Sequence, residues 1–181
     1  MAARTKLYRL LRDDENPLDE GIKAKLPNED KTPLQHIRHG SRHNSQWIST
    51  SRNLSDVDEL IRFKRRKEGR SRRCRVVEID EQRLKLYAEK NRDNMRQLLN
   101  LMMKMTVKEQ RIMWKLFTQL LEETTGKIFD FTDQTVMNEH IPKDPFSLSE
   151  NEKARGYARR YSEVLVERFI PADCCIRICD R

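Results

Sequence analysis

The longest unbroken pattern in this chain is helical, and it lies between apolar segments that are short and strand-like. From Glu81 to Met105, residues Leu84, Tyr87, Ala88, Met95, Leu98, Leu99 and Met102 recur on one stripe at helical spacing. Thr106 with Glu109 three residues on is a capping box. Ile112, Met113, Leu116, Phe117, Leu120 and Leu121 then repeat the spacing up to Gly126. So short a turn between two helices predicts an antiparallel hairpin, with the methionine-rich stripe as core. A chain that keeps its helical hairpin apart from its β-branched runs falls in the α+β class.

The strand-like segments stand on either side of that hairpin. Lys6 to Arg12, Gln46 to Ser51 and Val76 to Asp80 precede it; Lys127 to Phe131, Tyr161 to Val166 and Cys175 to Cys179 follow. Phe169-Ile170-Pro171 closes the fifth of these, and Arg177 of the sixth points outward. Ser55 with Asp58 reads as a capping box for a helix through Val57, Leu60 and Ile61 that ends near Gly69. Ser149 with Glu152 caps another, carrying Ala154, Tyr157 and Ala158. Between Pro17 and Asn44 the residues show little periodicity and predict a long ordered loop with one short helical turn; loops of that length carry function.

The length predicts one domain over residues 1–181. Apolar and charged residues each make up 36%, and the formal net charge of +8 favours an anionic partner. Charge is densest from Arg62 to Arg75, where Arg65, Arg66, Lys67, Arg70, Arg72 and Arg73 are candidate phosphate contacts to a nucleic acid, or a nuclear address. Only Phe63 is near enough to interleave as a stacking aromatic. Cys74, Cys174, Cys175 and Cys179 form no disulfide or metal framework and read as free thiols. His36, His39 and His43 lack a matching carboxylate or cysteine set, so no metal is expected and they read as solvated loop residues. With neither an apolar leader nor a membrane-length apolar run, the expectation is a soluble protein of the cytoplasm or nucleus.

Two charged residues sit where apolar neighbours dominate. Arg9 lies inside the first strand, and Glu163 opens the fifth; each needs water, a partner or a cleft. A third element, Ser49-Thr50-Ser51, puts hydroxyls at the end of the second strand. In this order, Tyr8-Arg9, Ser49-Thr50-Ser51 and Glu163-Val164-Leu165-Val166 with Ile170-Pro171 resemble the arginine–serine–glutamate class of mono-ADP-ribosyltransferases. The resemblance covers the first eighty residues or so and the last thirty or so. It implies an ADP-ribosyltransferase-like split β-sandwich with flanking helices, in which residues of about 81–126 are an inserted hairpin that braces the sheet.

The implied activity is cleavage of the nicotinamide–ribose bond of NAD and transfer of ADP-ribose to an acceptor, with nucleic acid a candidate given the basic surface. By resemblance Glu163 holds a ribose hydroxyl and stabilises the oxocarbenium-like cation, Arg9 grips the diphosphate, and Ser49 positions Glu163 or the ribose. Thr50 and Ser51 support the strand, Tyr8 flanks the NAD site, and Trp47 or Phe63 offers a stacking face for nicotinamide. His39-Gly40-Ser41-Arg42 resembles a fragment of poly-ADP-ribose polymerases, but the tyrosine that family has on its next strand is Ser-Thr-Ser here; His39 and Gly40 remain candidates for lining the NAD pocket, with Arg42 a candidate phosphate contact. Tyr161 stands two residues before Glu163, where such transferases often carry Glu or Gln, and this leaves the acceptor open. The other readings are an inactive nucleic-acid- or protein-binding module on the same fold, and NAD hydrolysis without an acceptor.

Overall fold

A computed structural model describes residues 5–39, 44–68, 73–145 and 149–181. Its centre is a fully antiparallel sheet of six strands: β1 (Lys6–Leu10), β3 (Trp47–Ser51), β4 (Arg75–Asp80), β5 (Ile128–Asp130), β6 (Glu163–Glu167) and β8 (Cys175–Asp180). They lie in the order β5-β6-β3-β1-β4-β8. Two further strands, β2 (Ile22–Lys23) and β7 (Phe169–Ile170), pair separately. The seven α-helices among the described residues are α1 (Pro17–Glu20), α2 (Pro33–His39), α3 (Leu54–Glu68), α4 (Glu81–Met102), α5 (Val107–Glu122), α6 (Gln134–His140) and α7 (Glu150–Arg160).

The hydrogen-bond registers divide the large sheet. β1 meets β4 at five positions and β3 meets β6 at five, but β1 and β3 pair only at Tyr8 and Ser51. Each block is therefore well laddered, and the seam between them is nearly open. Because side chains alternate along a strand, the registers also sort the residues into faces. On one face Leu7, Ile48, Val77, Ile79, Val164 and Val166 meet Leu84 of α4 and Ile22, Ile170 and Cys174 in one core cluster. On the other face the apolar residues fall into two separate groups. Trp47 and Leu165 pack with Phe131, Met137, Ile141, Ala154 and Ala158, while Tyr8, Leu10 and Val76 pack with Val57 and Ile61 of α3. Between those groups the same registers leave Ser49, Ser51 and Glu163, a polar strip beside the seam.

Several sequence signals act as expected. Thr106 and Glu109 exchange both bonds of the capping box that starts α5, and Ser149 accepts from the amide of Glu152 at the start of α7. Others do not. α3 begins at Leu54, one residue before the expected cap, and the Ser55 hydroxyl donates to Asp56 inside the first turn. The stretch expected to be a loop holds α1, β2 and α2. Only part of the α5 stripe is covered: Phe117 is buried, whereas Ile112, Leu116 and Leu120 are exposed, so the expectation that all of it is core fails.

β2 is held against β7 by a residue without a side chain. Gly21 has φ +74°, and a Cβ there would lie 2.5 Å from the Ile170 carbonyl oxygen and 2.7 Å from the Phe169 ring. Backbone cannot yield as a flexible side chain would, and the left-handed φ adds strain. Gly21→Ala is expected to cost about 2–4 kcal/mol, read as a lower denaturant midpoint in urea unfolding with little change in slope.

Candidate functional site

The three residues singled out from sequence meet at the seam. Arg9 reaches across it, and its Nη1 donates to the Ser49 carbonyl oxygen at 2.8 Å, where the open seam leaves that acceptor free. The Ser49 hydroxyl and the Arg9 guanidinium both stand near enough to the Glu163 carboxylate to favour its charged form. Glu163 is partly open to solvent, yet burial pushes its carboxyl up to about 7 against the opposing pull of Ser49 and Arg9.

Two residues that sequence reading passed over complete the constellation. Glu15 is buried; its Oε1 accepts from Arg9 Nη2 at 2.8 Å and its Oε2 from the Arg12 amide at 2.7 Å. It clamps one end of the Arg9 fork. His36, expected in a solvated loop, is buried on α2 with Nδ1 2.6 Å from Ser45 Oγ and Nε2 2.9 Å from Ser49 Oγ. Burial, then the charges of Arg9 and Lys31, press the imidazole down to about 4, so it is neutral near pH 7. One proton arrangement satisfies the row: Ser49 donates to the carboxylate, His36 Nε2–H donates to Ser49, and Ser45 donates to His36 Nδ1. The signal for His36 was Pro33 beginning a helical turn with Leu34 and Ile37 on its inner side.

Local structure holds this row in place. The Gln46 side chain pairs with both backbone groups of Lys31, at 3.0 and 2.8 Å, and so fixes the approach to α2. On the carboxylate side, Ser162 adopts φ +43° directly before Glu163. Its conformation ends the turn after α7 and starts β6. Asn53 Nδ2 donates to Ser162 Oγ at 2.9 Å, and Ser51 Oγ donates to the Tyr161 carbonyl at 2.6 Å. Arg52, next along the chain, binds both oxygens of Glu81 at 2.8 Å and Asp130 Oδ2 from its Nε at 2.7 Å. The strand end beside Glu163 is thereby tied to α4 and β5.

The other expected site residues lie elsewhere or have other partners. Thr50 Oγ1 donates to the Val164 carbonyl at 2.7 Å, so it, like Ser51, braces backbone. Tyr8, partly buried, packs against α3 beside Val57 and Ile61. Trp47 is a core residue: its indole N–H donates to the Lys31 carbonyl at 2.6 Å and its ring lies against Phe129, so it offers no open face to nicotinamide. Phe63 is exposed on α3 with Arg62, Arg66 and Lys67. His39 is exposed at the end of α2. Gly40 and Arg42 lie outside the described residues, as do His43, Arg70 and Arg72.

The basic run is less free than its sequence suggests. Arg65 donates to the Arg181 carbonyl at 2.7 Å, and Arg73 pairs with Asp180 at 3.1 Å. Both hold the end of the chain, while Arg66 and Lys67 stay exposed. No disulfide joins the four cysteines, and burial pushes the Cys174 and Cys175 thiols up to about 12. Among the described residues, no group of three or more His, Cys, Asp or Glu side chains is placed to hold a metal ion. No helix among them is long and apolar enough to cross a membrane.

Comparison with known proteins sets the fold in context. No protein-family model matches the chain, and a search of curated proteins finds no significant relative. Among solved structures the chain is similar to one named EcPltA, with a TM-score of 0.56 over 99% of this chain and 77% of that one, at 13% sequence identity. At that identity the likeness is one of fold alone.

Proposed function

We propose that the chain is an NAD-dependent mono-ADP-ribosyltransferase built on an ADP-ribosyltransferase-like fold. The observation that carries this reading is the meeting of Arg9, Ser49 and Glu163 at the one seam in the sheet, from segments far apart in sequence. A buried arginine beside a hydroxyl and a carboxylate of raised pKa is the kind of constellation found at functional sites. Arg9 also retains a buried Nε with no hydrogen-bond partner, the kind of orphan donor that a diphosphate oxygen satisfies.

In this reading the bond from nicotinamide nitrogen to the ribose C1′ breaks and its electron pair leaves with nicotinamide. The ribose is left as an oxocarbenium-like cation, which the Glu163 carboxylate stabilises, and the acceptor then bonds to C1′ and loses a proton. Ser49 and neutral His36 hold that carboxylate in place. Arg9, steadied by Glu15, anchors the diphosphate. Nucleic acid as the acceptor rests on the exposed Arg62, Arg66, Lys67 and Arg73, with Arg65 engaged by the Arg181 carbonyl.

The direct test is nicotinamide release from NAD by the purified chain, followed by transfer of labelled ADP-ribose to DNA, RNA or protein. Release with transfer supports a transferase; release without transfer to any of them identifies a hydrolase; no release overturns both. Arg9→Lys keeps charge but loses the fork, and is expected to weaken NAD binding by about tenfold, with Arg9→Ala weaker still. Calorimetric titration of NAD checks this, and unchanged affinity in both variants removes Arg9 from the site.

A further inference from the structure

The helical hairpin plays no part in the seam and exposes more apolar surface than any other region described. Leu101, Ile112, Leu116 and Leu120 are each more than half exposed. Leu98, Leu101 and Leu120 form the floor of a groove of about 360 Å³ between α4 and α5, and Asn94 and Gln97 stand along its rim. Helical spacing carries the groove onward, because Leu120, Leu116 and Ile112 are four residues apart on α5. This is the shape that takes an amphipathic helix with apolar residues at positions i, i+3 or i+4, and i+7.

Charge selects among the occupants. Between residues 81 and 126 the chain carries Arg83, Lys85, Lys90, Arg92, Arg96, Lys104, Lys108, Arg111 and Lys115 against Glu81, Glu89, Asp93, Glu109, Glu122 and Glu123, of which Glu81 pairs with Arg52 and Glu122 with Lys23. Glu109 is already engaged in the capping box and Asp93 faces Arg96. A second copy would bring the same cations to the interface. A flat lipid surface would meet one side, whereas Leu99 and Trp114 lie exposed on the far side of the packing stripes from Leu101 and Leu116. A concave floor with an amide rim suits a protein.

We propose that the groove between α4 and α5 binds an acidic amphipathic helix of a partner protein. Apolar side chains of that helix sit on Leu101, Leu116 and Leu120, and its carboxylates face Lys108 and Lys115. The site is independent of the NAD reading, and either stands if the other fails.

The probe is a displayed library of 20-residue helical peptides, selected against the full chain. Enriched sequences are expected to be net acidic with apolar residues at the stated spacing. Their affinity is expected to fall at least tenfold in Leu116→Glu and to hold in Trp114→Glu, with circular dichroism reporting that both variants fold. Four outcomes overturn the proposal: no enrichment, enrichment of neutral or basic sequences, equal binding by Leu116→Glu, or equal loss in Trp114→Glu. So do two others, each if Leu116→Glu abolishes it: self-association in sedimentation, and co-flotation with phosphatidylserine vesicles.

Discussion

Glu163→Gln is expected to lower nicotinamide release from NAD by at least about a hundredfold, while making the chain more stable above neutral pH. The first effect follows from charge. Gln is nearly isosteric and still accepts from Ser49, but it places no negative charge beside a developing cation, and one such preorganised group typically contributes a factor of about 10²–10³. The second follows from the raised pKa. Unfolded Glu163 titrates near 4.5 and folded Glu163 near 7, so between those values the folded chain holds a proton that the unfolded chain has lost. Stability is full below the lower value, falls as pH rises through the window, and reaches its floor above the higher one. Allowing for the partial exposure of the residue, the loss is on the order of 1–2 kcal/mol.

Gln carries no such penalty. The melting temperatures of the two proteins should therefore coincide near pH 4 and separate toward pH 8, with the variant higher. His36 titrates in the opposite sense: its folded pKa of about 4 lies below its ordinary 6.5, so it removes stability as pH falls through that range. It does so in both proteins and cancels from the comparison. Turnover of the unsubstituted chain at low NAD should rise with pH through about 7, as the carboxylate forms. Undiminished release by Glu163→Gln would take this residue out of the chemistry.

The legible parts of the site were those whose chemistry is local to one segment. Arg9 and Glu163 stand out because each charge sits among the apolar residues of a strand. Their meeting with Ser49 needed only the strand order, which the sequence supplied in part. Roles set by tertiary neighbours were not legible. Trp47 looks like a ring available to a ligand until Phe129 and the Lys31 carbonyl are seen to occupy its face and its N–H. Arg65 looks like part of a free basic patch until the Arg181 carbonyl is seen to accept from its guanidinium. His36 was hidden by the brevity of α2, since a helix of seven residues shows too little periodicity to be separated from loop. The hairpin failed in another way. Its repeat marks α4 and α5 correctly, but amphipathic spacing says which face is apolar and not whether that face is covered.

Arg155→Met is expected to be the most destabilising substitution in the half of the molecule that delivers Glu163. Arg155 is fully buried on α7, where its Nη1 donates to the Ile141 and Met137 carbonyls at the end of α6 and its Nη2 donates to Asn138 Oδ1 at 2.9 Å. The guanidinium thus caps α6, satisfying carbonyls that the helix itself leaves over, and its charge is well placed at a helix C-terminus. The carboxylate of Glu152 lies 3.7 Å from Nε. Replacing a buried ion pair by hydrocarbon can be neutral because both charges leave together. Here only the donor leaves, and the carbonyls stay buried with fewer partners. The cost is set by those unsatisfied acceptors, about 3 kcal/mol, which for a chain of this length lowers the melting temperature by roughly 6–12 °C. Because α7 runs directly into Tyr161, Ser162 and Glu163, the same change should loosen the carboxylate. Nicotinamide release should then fall more steeply on warming than in the unsubstituted chain, well before global unfolding by circular dichroism. A melting temperature within a degree or two of the original would show that the α6 carbonyls find other donors, and would remove Arg155 as the tie between the two helices.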